Sequence, residues 1–226
     1  MMGFQRYPVI GLALVLAFAS TSYVARAGTL PDGTNDFIPS FMGTKSADID
    51  ILSAGLTLSG SNLLFSATLN ATIANAANTY VLGIDRGLST RNFSAVNLPG
   101  VTFDSVLTVT GAGTQGGMDF VSGTPISVPA GTFQISGSNI TASIPLSLLP
   151  LVAGGFTSPD QFLWNFWTRG NVLGTPVAGN PGLADFVPNN SDASVVPLPT
   201  ALPLFATGLG VLGLLGWRRK LKALAA

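Results

Sequence analysis

Between Gly28 and Asp192 the chain alternates short apolar stretches with runs of Ser, Thr, Gly and Asn, and no long segment keeps a 3.6-residue helical period. Apolar residues at every second position send their side chains to one face, which is the pattern of a half-buried strand. This reading predicts strands over residues 49–58, 62–69, 80–85, 101–110, 131–135, 140–145 and 162–167, with one helical turn, over 145–149. Several strands of this length separated by turn signals predict an all-β body, an antiparallel β-sandwich or jelly roll over residues 28–190.

Two of the predicted hairpins share a turn. Ser59-Gly60-Ser61-Asn62 joins Leu56-Thr57-Leu58 to Leu63-Leu64-Phe65, and Ser136-Gly137-Ser138-Asn139 joins Phe133-Gln134-Ile135 to Ile140-Thr141-Ala142. Glycine supplies the positive φ that tight hairpins require. A second echo pairs Asn35-Asp36-Phe37-Ile38-Pro39 with Ala184-Asp185-Phe186-Val187-Pro188, placing an aspartate and an aromatic beside a proline at each edge of the body.

The ends follow a different pattern. Arg6, an apolar stretch over 9–18 and the small-x-small triplet Ala25-Arg26-Ala27 read as a secretory signal peptide, residues 1–27, cut by signal peptidase to leave Gly28 first. An uncleaved anchor is the alternative. At the other end, residues 201–217 carry no charge and predict a single transmembrane helix roughly 25 Å long at about 1.5 Å per residue. Pro203 falls in its first turn, and Gly208, Gly210, Gly213 and Gly216 leave it slim. Arg218, Arg219, Lys220 and Lys222, within a tail of residues 218–226, form a basic stop that stays cytoplasmic by the positive-inside rule. The body is then expected outside the cytoplasmic membrane, in the periplasm. Residues 191–200 read as a linker ending in a proline-marked break.

Composition narrows the chemistry. Of 226 residues, only 9% are charged, which excludes a coiled coil or a charge-driven nucleic-acid binder. All ten acidic residues are aspartates between Asp32 and Asp192, against four basic residues in the same span, so the body carries a net −6. Such a surface repels nucleic acid and attracts cations. The chain has no cysteine and no histidine. Zinc sites and Ser-His or Cys-His nucleophile pairs are therefore excluded, and the expectation is a protein that is not an enzyme.

Candidate ligand groups are few. Asp32 and Asp36, with Asp48 and Asp50, are the best metal candidates; hard carboxylate oxygens suit calcium, and an extracellular module can use a weak site. In a strand, Asp48 and Asp50 would share a face. Solvated turn aspartates are the alternative. In Phe162-Leu163-Trp164-Asn165-Phe166-Trp167 one face must be core, while Trp164 or Trp167 on the other offers a stacking platform for a sugar ring; core or sheet-edge packing on both faces is the competing reading, since tryptophan is mostly buried. Asp85 is a candidate for half of a glycosidase carboxylate couple, which needs a partner roughly 5–10 Å away; a local Asp85-Arg86 ion pair at a strand end is the competing reading.

Val196-Pro197-Leu198-Pro199-Thr200, followed by Leu202-Pro203-Leu204-Phe205, a Gly/Leu helix and Trp217-Arg218-Arg219-Lys220, closely resembles the PEP-CTERM sorting signal of Gram-negative bacteria. Leu198 stands where that signal usually has glutamate. The resemblance implies processing by exosortase, a membrane cysteine protease, near the Pro-x-Pro motif, and a destination at the cell surface or in an exopolysaccharide and biofilm matrix. More loosely, Asp48-Ile49-Asp50-Ile51-Leu52 and Leu82-Gly83-Ile84-Asp85-Arg86-Gly87 resemble segments of DOMON and family-9 carbohydrate-binding jelly rolls. The expectation is an exported, surface or matrix protein with a structural or binding role. A carbohydrate-binding module, assisted by calcium and contacting polysaccharide, is the second reading, and a carboxylate-dependent glycosidase or lyase the third.

Overall fold

A computed structural model describes residues 28–170 and 182–197. Fifteen short strands are described: β1 (Leu30–Pro31), β2 (Ile51–Ser59), β3 (Asn62–Leu69), β4 (Thr79–Asp85), β5 (Arg91–Phe93), β6 (Leu98–Phe103), β7 (Ser105–Thr110) and β8 (Gln115–Asp119), then β9 (Thr124–Ile126), β10 (Phe133–Ser136), β11 (Asn139–Pro145), β12 (Leu163–Arg169), β13 (Leu183–Val187), β14 (Ala193–Ser194) and β15 (Val196–Pro197). One sheet runs β1-β2-β3-β11-β10, with β15 also on β2; the other runs β13-β12-β4-β7-β8-β9, with β14 on β12. Every pairing is antiparallel except β15 with β2. The body is all-β, as the sequence pattern predicts.

The two sheets share one apolar core. β3 and β11 alternate cleanly, burying Leu63, Phe65, Ala67 and Leu69 and then Ile140, Ala142 and Ile144. Across the layer Phe65 meets Phe166 at 5.0 Å between ring centroids. The twin turns form as expected: in both, only the glycine of the two loop residues has positive φ (57° at Gly60, 61° at Gly137), the signature of a type II′ hairpin.

β4 and β12 are buried on both faces because the small β5–β6 hairpin covers their outer side. There Trp167 packs against Phe93 and Phe103, both at 5.1 Å, and Phe186 at 5.9 Å. The predicted strand over 101–110 is two strands, broken at Asp104: β6 turns away to pair with β5 while β7 pairs with β4 and β8. The buried Asp104 carboxylate, accepting from the Arg86 backbone, fixes that break. The turn over Leu146–Leu148 is a 3-10 helix, joined by others at Ala47–Ile49, Ser94–Val96 and Pro159–Gln161. Residues 193–197, expected as linker, instead pair with both sheets. The signal-peptide segment, the sorting-motif residues Leu198, Pro199 and Thr200, the apolar run 201–217 and Arg218, Arg219, Lys220 and Lys222 lie outside the described residues. Among those described, no helix is long and apolar enough to cross a membrane.

Candidate metal centre

The N-terminal arm brings the first carboxylates to the body. β1 lies along β2, and the Asp32 amide donates to the Leu52 carbonyl at 2.9 Å. Further on, the Ile38 amide donates to the Ala184 carbonyl at 2.9 Å, which ties the arm to β13. That bond joins the two echoed segments: Asn35-Asp36-Phe37-Ile38 meets Ala184-Asp185-Phe186, so the echo marks one place rather than two edges. The result is a cluster of Asp32, Asp36 and Asp185, each offering a carboxylate oxygen within 4.8 Å of the others.

The three carboxylates differ in surroundings. Asp185 is fully buried; its Oδ2 accepts from the Ile51 amide at 2.6 Å and its Oδ1 from the Phe186 amide at 2.8 Å. Burial first, then the charge of Asp32, pushes its pKa up to about 8 against those hydrogen bonds. Asp32 is half-buried, with one oxygen accepting from Asn189 Nδ2 at 3.1 Å and the other buried without a partner. Burial and then Asp36 raise it to about 7. Asp36 is exposed, and Asn189 Nδ2 reaches it at 3.5 Å. Three carboxylates this close cannot all ionise cheaply without a cation, and an oxygen left without a donor is a ready ligand.

Asp48 and Asp50 do not join the cluster as a pair. The predicted strand over 49–58 begins only at Ile51, and Asp48 sits in the preceding 3-10 turn, so the shared-face geometry is lost. Asp48 accepts from Ser46 Oγ (2.5 Å), Asn78 Nδ2 (3.1 Å) and the Asn75 amide (3.3 Å), pinning the 70–78 loop. Asp50 is fully buried and accepts from the Asn35 amide (2.9 Å) and Asn70 Nδ2 (2.7 Å), adding to the field at Asp32 from behind the site. The alternation of Asp48-Ile49-Asp50 therefore marks anchoring acceptors. Asp185 was the residue missed, although the echo carried it.

Trp164 and Trp167 stand on opposite faces of β12, as the alternation predicts, but both are buried, at 1% and 2% exposure. The β5–β6 cover takes the place a sugar would need on Trp167, and Trp164 lies in the shared core with its Nε1 donating to the Ser194 carbonyl at 3.3 Å. Neither ring is a stacking platform.

The Asp85-Arg86 pair also rearranges. Arg86 is fully buried and bonds Asp104 through Nε at 2.7 Å and Asp119 through Nη2 at 2.8 Å, with Nη1 donating to the Pro150 carbonyl at 3.1 Å. Asp85 accepts instead from the Gly87 amide (2.8 Å), the Ser89 amide (3.0 Å) and Ser89 Oγ (2.5 Å), which closes its own loop.

No protein-family model and no curated protein matches this chain.

Proposed function

We propose that this chain is an exported cell-surface or extracellular-matrix protein whose body is a non-enzymatic β-sandwich of jelly-roll type, delivered and trimmed through its C-terminal sorting signal. The observation that carries this reading is the order Pro-x-Pro motif, uncharged run 201–217 and basic stop, set directly behind an all-β body. The engagement of Asp48, Asp50, Asp85 and Asp104 as acceptors for backbone and neighbouring side chains supports a structural rather than catalytic use of carboxylates. The tail is tested by fusing residues 190–226 to a reporter in a host that carries exosortase. Clipping is expected, and replacing Pro197 and Pro199 should leave an uncut, membrane-held product. Equal processing of the replaced version would refute the motif.

A second reading, favoured by the Asp32–Asp36–Asp185 cluster, is that the body binds calcium, which ties the N-terminal arm to β13. Calcium's preference for several hard oxygens suits the donor set, with backbone carbonyls or water completing the shell. A polysaccharide-binding role then falls to surfaces other than the two buried tryptophans. Glycan-array binding by the full chain, with and without calcium, tests it, and no binding to any glycan in either condition removes it.

A further inference from the structure

Residues 188–197 cross the ends of both sheets. Asn165 Nδ2 on β12 donates to the Pro188 carbonyl at 2.6 Å and the Ser191 carbonyl at 2.7 Å. β14 then pairs with β12, the buried Val195 donates its amide to the Phe162 carbonyl at 3.0 Å, and β15 crosses to pair with β2 at Thr57 and Leu58. The segment that leads into Leu198-Pro199 is thus part of the body.

Between these anchors sits Asp192. Its Oδ2 accepts from the Thr102 amide at 2.9 Å and lies 2.7 Å from Thr102 Oγ1, which in turn lies 3.0 Å from Asp85 Oδ2. A threonine hydroxyl has one proton to give, so it cannot serve two carboxylate anions at once. Asp85 is the better-solvated anion, with two amides and Ser89 Oγ already donating to it. Asp192 has no such support: its Oδ1 is buried without a partner. The proton count closes if Asp192 Oδ2 carries a proton and donates it to Thr102 Oγ1, whose own proton goes to Asp85 Oδ2. Charges agree with this order. Burial raises Asp192, helped by the Asp85 charge and opposed by the Thr102 bonds; burial also acts on Asp85, but its hydrogen bonds outweigh it and hold Asp85 below the usual carboxylate value. Asp85 on β4 is the charge that faces Asp192; β6 presents neutral Thr102 and β12 neutral Asn165.

We propose that residues 188–197 are a proton-latched strap: protonated Asp192 holds it across both sheets, and ionisation of Asp192 against Asp85 loosens it and frees the chain that enters the Pro-x-Pro motif. The latch itself stands on this geometry alone; its effect on processing rests on the sorting reading above. A protease must take its substrate extended into a cleft, and Val196 and Pro197 are held as a strand while the strap is closed.

Hydrogen exchange of the full chain in detergent, corrected for intrinsic rates, tests the latch at about pH 4, near the ordinary carboxylate value, and at about pH 8. The Val195 amide should lose several-fold in protection at the higher pH, while amides of the β2–β3 hairpin stay unchanged. Asp192→Asn should stay protected at both. Thr102→Val, which removes the shared hydroxyl, should be loose at both. A wild-type strap with equal protection at the two pH values, or a pH slope that survives in Asp192→Asn, overturns the latch. In cells with exosortase, Asp192→Asn should be cut several-fold more slowly than wild type; equal rates overturn the gating, and an uncut wild type overturns the sorting reading while the exchange result stands.

Discussion

Trp167 shows how one small residue sets a local layer. Its ring packs against β4 at Gly83, which has no side chain; a Cβ there would come within 2.5 Å of the indole. The indole Nε1 is buried with no hydrogen-bond partner, so packing against Phe93, Phe103 and Phe186 must hold the ring in place. Gly83→Ala is therefore expected to cost about 1–3 kcal/mol, as overpacking does in a filled core. Denaturant unfolding gives the loss, and near-ultraviolet dichroism should report a displaced tryptophan; an unchanged midpoint would disprove the close approach. Arg86 makes the opposite case. It is a full-length cation with no exposed surface, acceptable only because Asp104, Asp119 and the Pro150 carbonyl take its donors. Burial of the Arg86 guanidinium works against its charge, but hydrogen bonds to Asp119 and Asp104 outweigh that and raise its pKa further. Nothing in the dipeptide Asp85-Arg86 announces partners 18 and 33 positions away.

The elements were legible where local chemistry decides them. In the twin Ser-Gly-Ser-Asn turns the glycine has open space around it, so what matters there is positive φ alone. Gly60→Ala and Gly137→Ala should each lose about 1–2 kcal/mol, a backbone cost with no steric share. Their combination should be additive in thermal unfolding, since the turns lie in different hairpins; a neutral Gly60→Ala would show that the turn conformation is not required. The regular alternations of β3 and β11 were equally plain in the sequence. β8 was not, because Gln115-Gly116-Gly117-Met118-Asp119 has neither alternation nor β-branched residues; it is a strand because β7 and β9 offer it backbone partners. β13 escaped for a different reason. Leu183-Ala184-Asp185-Phe186-Val187 is buried at every position, and a fully covered strand loses the period of two by which half-buried strands are found. β14 and β15 are two residues each and take their form from the sheets they bridge.

At the scale of the whole molecule, an aspartate-rich body with a net −6 and buried carboxyl groups ties its stability to pH. The native pKa of Asp185, about 8, and of Asp32, about 7, both exceed the ordinary carboxylate value, so the folded protein binds more protons than the unfolded chain across the interval between them. Stability must then fall as pH rises through that interval: these groups favour the folded state when protonated, and the benefit is lost once they ionise in place. In chelator, the thermal midpoint should drop from about pH 5 to about pH 8. A cation reverses the sense of the change. On the proposed calcium reading the ion takes the ionised carboxylates of the folded state, so its stabilisation should grow with pH, reaching about 1–3 kcal/mol when the ion stands ten- to a hundredfold above a millimolar-class dissociation constant. Asp185→Asn removes one ligand and the carboxyl raised to about 8 together, and should both flatten the pH slope in chelator and abolish the calcium increment. Magnesium, which holds its water shell and demands tighter octahedral geometry, should give a smaller shift than calcium at equal concentration. A calcium-independent midpoint at pH 8, with the chelator slope intact, would leave the Asp32–Asp36–Asp185 cluster as a proton-sharing joint between the N-terminal arm and β13 and would end the metal reading.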